Sequence, residues 1–104
     1  MLFAIYQEDG PNAKEIRART RETHLAYLDA HMDILVLGGG LITDDNSGYV
    51  GSLFIINVPS RQAAEEFSAS EPYRKAGLFK TVKISRMRRG QWNPAAAPAT
   101  VLGN

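Results

Sequence analysis

The chain divides into short apolar runs and longer amphipathic stretches, separated by clear turn signals. Leu2 to Gln7 is apolar and aromatic and stops at Glu8-Asp9-Gly10-Pro11, which reads as a strand followed by a turn. Asn12 then stands where a helix N-cap belongs, with Glu15 at the position that could reach back to it. From Ala13 to about Met32 there is no Gly or Pro, and the propensities favour helix. Ile34 to Leu37 predicts a second strand that Gly38-Gly39-Gly40 interrupts, with Leu41 and Ile42 as an extension before the turn at Thr43 to Gly48. Tyr49 to Val58 is the longest strand-like run and is apolar on both faces around Leu53-Phe54-Ile55-Ile56, as expected of a strand covered on both sides.

Pro59-Ser60 opens a second helix, with Ser60 as its cap and Ala63, Ala64 and Phe67 as its inward stripe. Ser70-Glu71-Pro72-Tyr73 interrupts it, and Arg74 to Gly77 can add one more turn. Phe79 to Met87 alternates, Val82 and Ile84 against Thr81, Lys83 and Ser85, which suits an edge strand. The order βαββαβ predicts an α+β, ferredoxin-like domain over residues 1–88, with a four-stranded antiparallel sheet and its helices on one face. Residues 89–104, rich in Ala and Pro after a basic start, have too little to bury and are expected to be a flexible tail, with Trp92 as a potential anchor.

Two helices over four strands leave one apolar sheet face uncovered. A sheet-to-sheet homodimer would cover it, and a domain of 104 residues gains stability from doing so. The net charge of +1 gives no reason to expect nucleic acid or an anionic membrane as partner. The basic group Arg86, Arg88, Arg89 beside Trp92 is too short to change that. With no cysteine, disulfides, thiolate metal sites and cysteine nucleophiles are excluded. The N-terminus lacks a basic region before its apolar run, and no run approaches the ~18 residues of a membrane span, so a cytoplasmic location is the expectation.

The first helix carries the candidate chemistry. On a helical projection Ile16, Thr20, Thr23, Leu25, Tyr27, Leu28 and Met32 share one broad arc, with His24 near its middle and Arg17 and Arg21 on the same side. Burying these polar groups without partners would cost several kcal/mol. The face is therefore expected to line a cleft with carboxylates, waters or an anion. The structural alternative is a satisfied interior histidine, with the arginines paired to Glu15 or Glu22. His31 reads as a helix C-terminal residue. His24 and His31 lack a third ligand, so neither a metal nor any other cofactor is expected.

Three segments, MLFAIYQEDGPNA, Arg21-Glu-Thr-His24-Leu-Ala-Tyr-Leu28 and Ser70-Glu-Pro-Tyr-Arg-Lys-Ala-Gly-Leu-Phe79, together resemble the YciI-like (YCII-related) family over about residues 1–88. The resemblance implies a ferredoxin-like fold of the dimeric α/β-barrel group and a site centred on a histidine and an aspartate. His24 and Arg21 match the family's histidine and the arginine three before it. The family's Asp-Pro-Tyr is here Glu71-Pro72-Tyr73, one methylene longer, and Asp44, Asp45 and Asp9 are other candidates for the acid. Gly38-Gly39-Gly40 departs from the family's Ala-Gly-Pro and reads as a bulge.

A histidine held by a carboxylate is suited to general base work, since the acid fixes the tautomer and stabilises the imidazolium. Characterised relatives include a dehydrochlorinase of a chlorinated hydroxyquinol, implying proton abstraction followed by elimination or isomerisation. The leading expectation is thus a cofactor-free lyase or isomerase on a small aromatic or acidic molecule. In it His24 is the base, Glu71 or Asp45 orients it, and Arg21, Arg17, Ser52 and Tyr73 hold the substrate. The alternative is a non-catalytic dimer whose cleft binds or senses a small anion.

Overall fold

A computed structural model describes residues 1–103. Its elements run β1 (Leu2–Asp9), α1 (Ala13–Ala30), β2 (Leu35–Ile42), β3 (Tyr49–Asn57), α2 (Arg61–Ser70), α3 (Pro72–Lys75) and β4 (Phe79–Met87), followed by a 3₁₀ turn at Pro94–Ala96. The strands form one antiparallel sheet in the order β2-β3-β1-β4, the ferredoxin-like arrangement, with β4 at an edge. Alternation along β1 and β3 separates the two faces. Phe3 and Ile5 pair with Ile56 and Phe54, and all four are buried with Ala64 and Phe67 of α2. Each of the buried Phe and Ile side chains contributes about 1.5–3 kcal/mol by leaving water. Val82 and Ile84 of β4 pack against the same core, as their alternation predicts.

Several local expectations are corrected. Asn12 does not cap through its side chain: it is in the left-handed conformation (φ 61°), and its carbonyl receives the Ile16 N–H. Asn tolerates that conformation better than other non-glycine residues. Glu15 faces Arg19 instead. The inward stripe of α1 is narrower than the projection suggests. Ile16, Arg17, Thr20, His24, Tyr27 and Leu28 turn inward, while Thr23, Leu25 and Met32 are exposed. α1 thus meets the sheet along the line of its polar residues.

The triple glycine does not break β2, which runs through it to Ile42. A β-carbon on Gly38 would lie 2.8 Å from the Phe54 ring, and one on Gly40 would lie 2.4 Å from the Tyr49 ring. Two of the glycines are therefore spaces occupied by aromatic rings from β3. Ser60 caps α2 as expected, accepting the Ala63 N–H at 3.1 Å. The next helix starts earlier than expected, because Pro72 takes the first helical position and only Glu71 separates it from α2. Trp92 is 57% exposed, so it does not bury itself against the domain.

Candidate functional site

The site is built around the one-residue joint between α2 and α3. Glu71 is the N-cap of α3, and its carboxylate accepts the backbone N–H of Tyr73 at 3.2 Å and of Arg74 at 3.3 Å. At 1% exposure an ionised carboxylate needs such donors, because burial without them costs several kcal/mol. A third partner comes from α1, where His24 Nδ1 meets Glu71 Oε1. With Nδ1–H directed at the carboxylate, the neutral imidazole presents Nε2 as a lone pair. The Tyr73 ring stacks on the imidazole at 3.9 Å with an interplanar angle of 16°, and Phe54 lies 6.5 Å away on the sheet side. The histidine is thus fixed by a carboxylate at one atom and an aromatic face along its plane.

The phenols nearby respond to this environment. Burial raises the Tyr27 hydroxyl above its usual range, and the Glu71 charge adds to the effect. Tyr27 donates its proton to the Phe67 carbonyl at 2.8 Å. Burial also raises Tyr73, against the opposing positive charges of Arg17 and Arg21.

The other residues singled out from the sequence separate into groups. Arg17 is not a free cation for a substrate. Its Nε and Nη2 bind Asp9 in a fork at 2.8 and 2.9 Å, and Nη2 also donates to the Gly51 carbonyl at 2.9 Å. Its guanidinium lies 4.4 Å from the centre of the Tyr49 ring and 5.2 Å from that of Tyr73. Asp9 is accordingly taken by Arg17 and does not reach His24. Asp45 stays within the β2–β3 turn, where it accepts bonds from the Thr43 hydroxyl at 2.7 Å and the Ser47 N–H at 3.0 Å. Those bonds hold its carboxyl below the usual range. Asp44 is exposed in the same turn. A short turn so thoroughly bonded to itself has no reason to fold back onto α1.

Arg21 is exposed, and among the described residues it makes no hydrogen bond or ion pair; its charge is felt at Tyr73. Ser52 is 5% exposed and accepts a bond from Gln7 Nε2 at 2.7 Å. Gln7, Tyr49 and Gly51 are site neighbours that sequence reasoning missed. Gln7 carried a signal, being the polar third member of the inward series Phe3, Ile5, Gln7. Gly51 carried none, because its reason is a close approach: a β-carbon there would lie 2.1 Å from the Gln7 carbonyl oxygen of β1. His31 is the C-cap of α1, as expected, with Nδ1 donating to the Tyr27 carbonyl at 2.7 Å. No cluster of three His, Asp or Glu side chains suited to a metal occurs among the described residues. A shallow depression of about 380 Å³, lined by Arg19, Thr20, Thr23, Pro72 and Lys75, excludes His24.

Residues 1–88 match the YCII-related domain. The chain belongs to the YCII-related family. A Haemophilus influenzae relative is 32% identical over 86% of this chain and 98% of its own length. Protein YciI of Escherichia coli O6:H1 is 30% identical with the same coverage. Among solved structures, the 5-chloro-2-hydroxyhydroquinone dehydrochlorinase of Burkholderia phenoliruptrix AC1100, in complex with 2,5-dihydroxybenzoquinone, superposes with a TM-score of 0.79. It is 31% identical over 86% of this chain and 96% of the enzyme. An antibiotic biosynthesis monooxygenase at 16% identity and TM-score 0.52 shares the fold alone. The YCII-related fold is thus shared with proteins of different chemistry, and function must be argued from the site.

Proposed function

We propose that this YCII-related protein is a cofactor-independent lyase or isomerase acting on a small oxygenated ring, with His24 as general base. The observation that carries the reading is the imidazole fixed between the Glu71 carboxylate and the Tyr73 ring, its Nε2 unengaged by any described residue. Glu71 fixes the tautomer and stabilises the imidazolium that forms. Arg21, exposed, without a partner among the described residues and one turn before His24, neutralises an oxyanion on the substrate. Similarity to the dehydrochlorinase supports a ring bearing hydroxyl and oxo groups as the ligand class.

The step balances without an oxidant or reductant. His24 Nε2 takes a proton from the substrate, and the electron pair left behind expels a leaving group such as chloride or shifts a double bond. In elimination the imidazolium passes its proton to water, so the net loss is HX; in isomerisation it returns the proton at another atom. Positioned proton transfer of this kind contributes about 10²–10⁴-fold in rate. The test is chloride release from 5-chloro-2-hydroxyhydroquinone, in the wild type and His24→Gln. Turnover reduced about 10²-fold or more in the variant, with the fold kept by circular dichroism, supports the base. Binding that is indifferent to His24, with no turnover by the wild type across a panel of halogenated and hydroxylated rings, assigns the protein to non-catalytic anion binding instead.

We further propose that two copies pair through the sheet face opposite the helices. Leu37 and Met87 are 67% and 45% exposed there, beside Leu2, Ala4, Tyr6, Leu53 and Ile55. Leu37→Lys should lower the sedimentation-derived mass of a dimer to that of a monomer; a wild type that sediments as a monomer overturns the pairing. A cytoplasmic location, mobility of residues 89–103 and the lack of a nucleic-acid partner belong to the same reading.

A further inference from the structure

We propose that Gln7 is a positioning residue, which holds Ser52 so that the serine hydroxyl donates its proton to the ligand beside His24. This rests on the proposed role of His24 as the base that meets a ligand. Gln7 is 1% exposed and stands in the inward row after Phe3 and Ile5. A buried amide there is costly unless bonded, and its Nε2 donates to Ser52 Oγ across the β1–β3 pair. A hydroxyl has one proton to give and lone pairs to receive. Ser52 receives from Gln7, and its own proton has no acceptor among the described residues. The amide therefore sets the polarity of the serine.

The position of Ser52 directs that donor at the site. Arg17 of α1 touches the carbonyl of Gly51, one residue before Ser52. The His24 ring of α1 lies against Phe54, two residues after it. Ser52 therefore sits below the stretch of α1 between Arg17 and His24, which the Tyr73 ring also bridges. Its neighbours across the sheet are Gln7 on one side and, on the other, Gly40, whose side-chain space the Tyr49 ring fills.

The pairing has a consequence for recognition. His24 Nε2 accepts and Ser52 donates, so the two together fit a ligand whose hydroxyl adjoins a carbonyl or oxyanion. A hydroxyl proton goes to His24, and the adjacent oxygen takes the Ser52 proton with Arg21 close by. 2,5-Dihydroxybenzoquinone carries that hydroxy-oxo pair and serves as the probe.

The experiment is calorimetric titration of this quinone into wild type, Ser52→Ala, Gln7→Leu, the double variant and His24→Gln, with side-chain amide NMR of the unliganded protein. Ser52→Ala removes one oxygen and leaves Gln7 in place, so the test does not depend on tolerance of a substitution at Gln7. The expected result is about a tenfold loss of affinity in each single variant and no further loss in the double variant. The Gln7 amide protons should be slow to exchange in the wild type and fast in Ser52→Ala. Additive losses, or unchanged affinity in Ser52→Ala, overturn the proposal while His24-dependent binding stands. Quinone binding that is absent, or unaffected by His24→Gln, overturns the underlying reading and this proposal with it.

Discussion

Replacing Glu71 separates the structural and chemical parts of the site. Glu71→Ala removes the acceptor of three N–H donors: Tyr73 N, Arg74 N and His24 Nδ1. Hydrogen bonds to a charged partner are worth about 1.5–3 kcal/mol each, and a lost N-cap about 1 kcal/mol. The three share one carboxylate and are not additive, and water can reach Arg74, which is only partly buried. A net loss of about 3 kcal/mol follows, and a domain of this size loses about 4–8 °C in Tm per kcal/mol. The melting temperature followed by circular dichroism should therefore fall by about 12–24 °C. Glu71→Asp should behave differently. Asp is as good a cap as Glu or better, so α3 survives and Tm falls by less than half that amount, but the carboxylate retreats one methylene from His24. The ¹⁵N shifts of His24 should then move from the Nδ1–H tautomer of the wild type toward a mixture. A Glu71→Ala variant melting within about 3 °C of wild type would refute the reasoning. So would a wild-type His24 protonated at Nε2.

Four further outcomes follow from the same structure. Gly51→Ala drives a β-carbon into the Gln7 carbonyl, and backbone cannot step aside, so urea denaturation should register a loss of about 2–3 kcal/mol or more. Gly39→Ala, whose β-carbon would meet nothing within 4 Å, should stay within about 0.5 kcal/mol. Arg17→Lys cannot reproduce the fork on Asp9, whose side chain is 7% exposed, and should cost about 3 kcal/mol; indifference in the same urea series would mean the pair is idle. Tyr27 and Tyr73 both hold their protons more tightly folded than unfolded. Their contribution is complete below the unfolded value of 10.0 and is lost as pH rises through the folded values. Urea midpoints should fall steeply above pH 10, and less steeply in Tyr27→Phe and Tyr73→Phe; parallel slopes would show that the shifts are absent.

Element order was legible because most strands and helices announce themselves locally, through apolar alternation and Ser60 at a cap, although Pro72 read as an interruption where it opens α3. The errors over the glycines lie where a ring of the next strand decides, and the error at Asn12 lies in its own backbone conformation. Gly38 and Gly40 read as breaks in a strand, yet they are flat places that Phe54 and Tyr49 of the next strand occupy. Asn12 read as a side-chain cap, but the backbone satisfies the turn on its own.

The site repeats this division between local and distant causes. His24 was legible as a polar residue on an inward arc, and Glu71 as an acid before a proline, but their meeting spans forty-seven positions and follows only from α3 packing on α1. Arg17 was misjudged for the complementary reason. Its position on the arc is right, yet Asp9, at the end of β1, reaches it first. The outcome sorts the two arginines by one turn of helix. Arg17, four residues before Arg21, falls over the sheet and is consumed by Asp9, Gly51 and Tyr49. Arg21 falls at the rim beside Tyr73, where its charge remains available. One cation is thus held against Asp9, Gly51 and Tyr49, while the other stands in solvent with its charge felt at Tyr73.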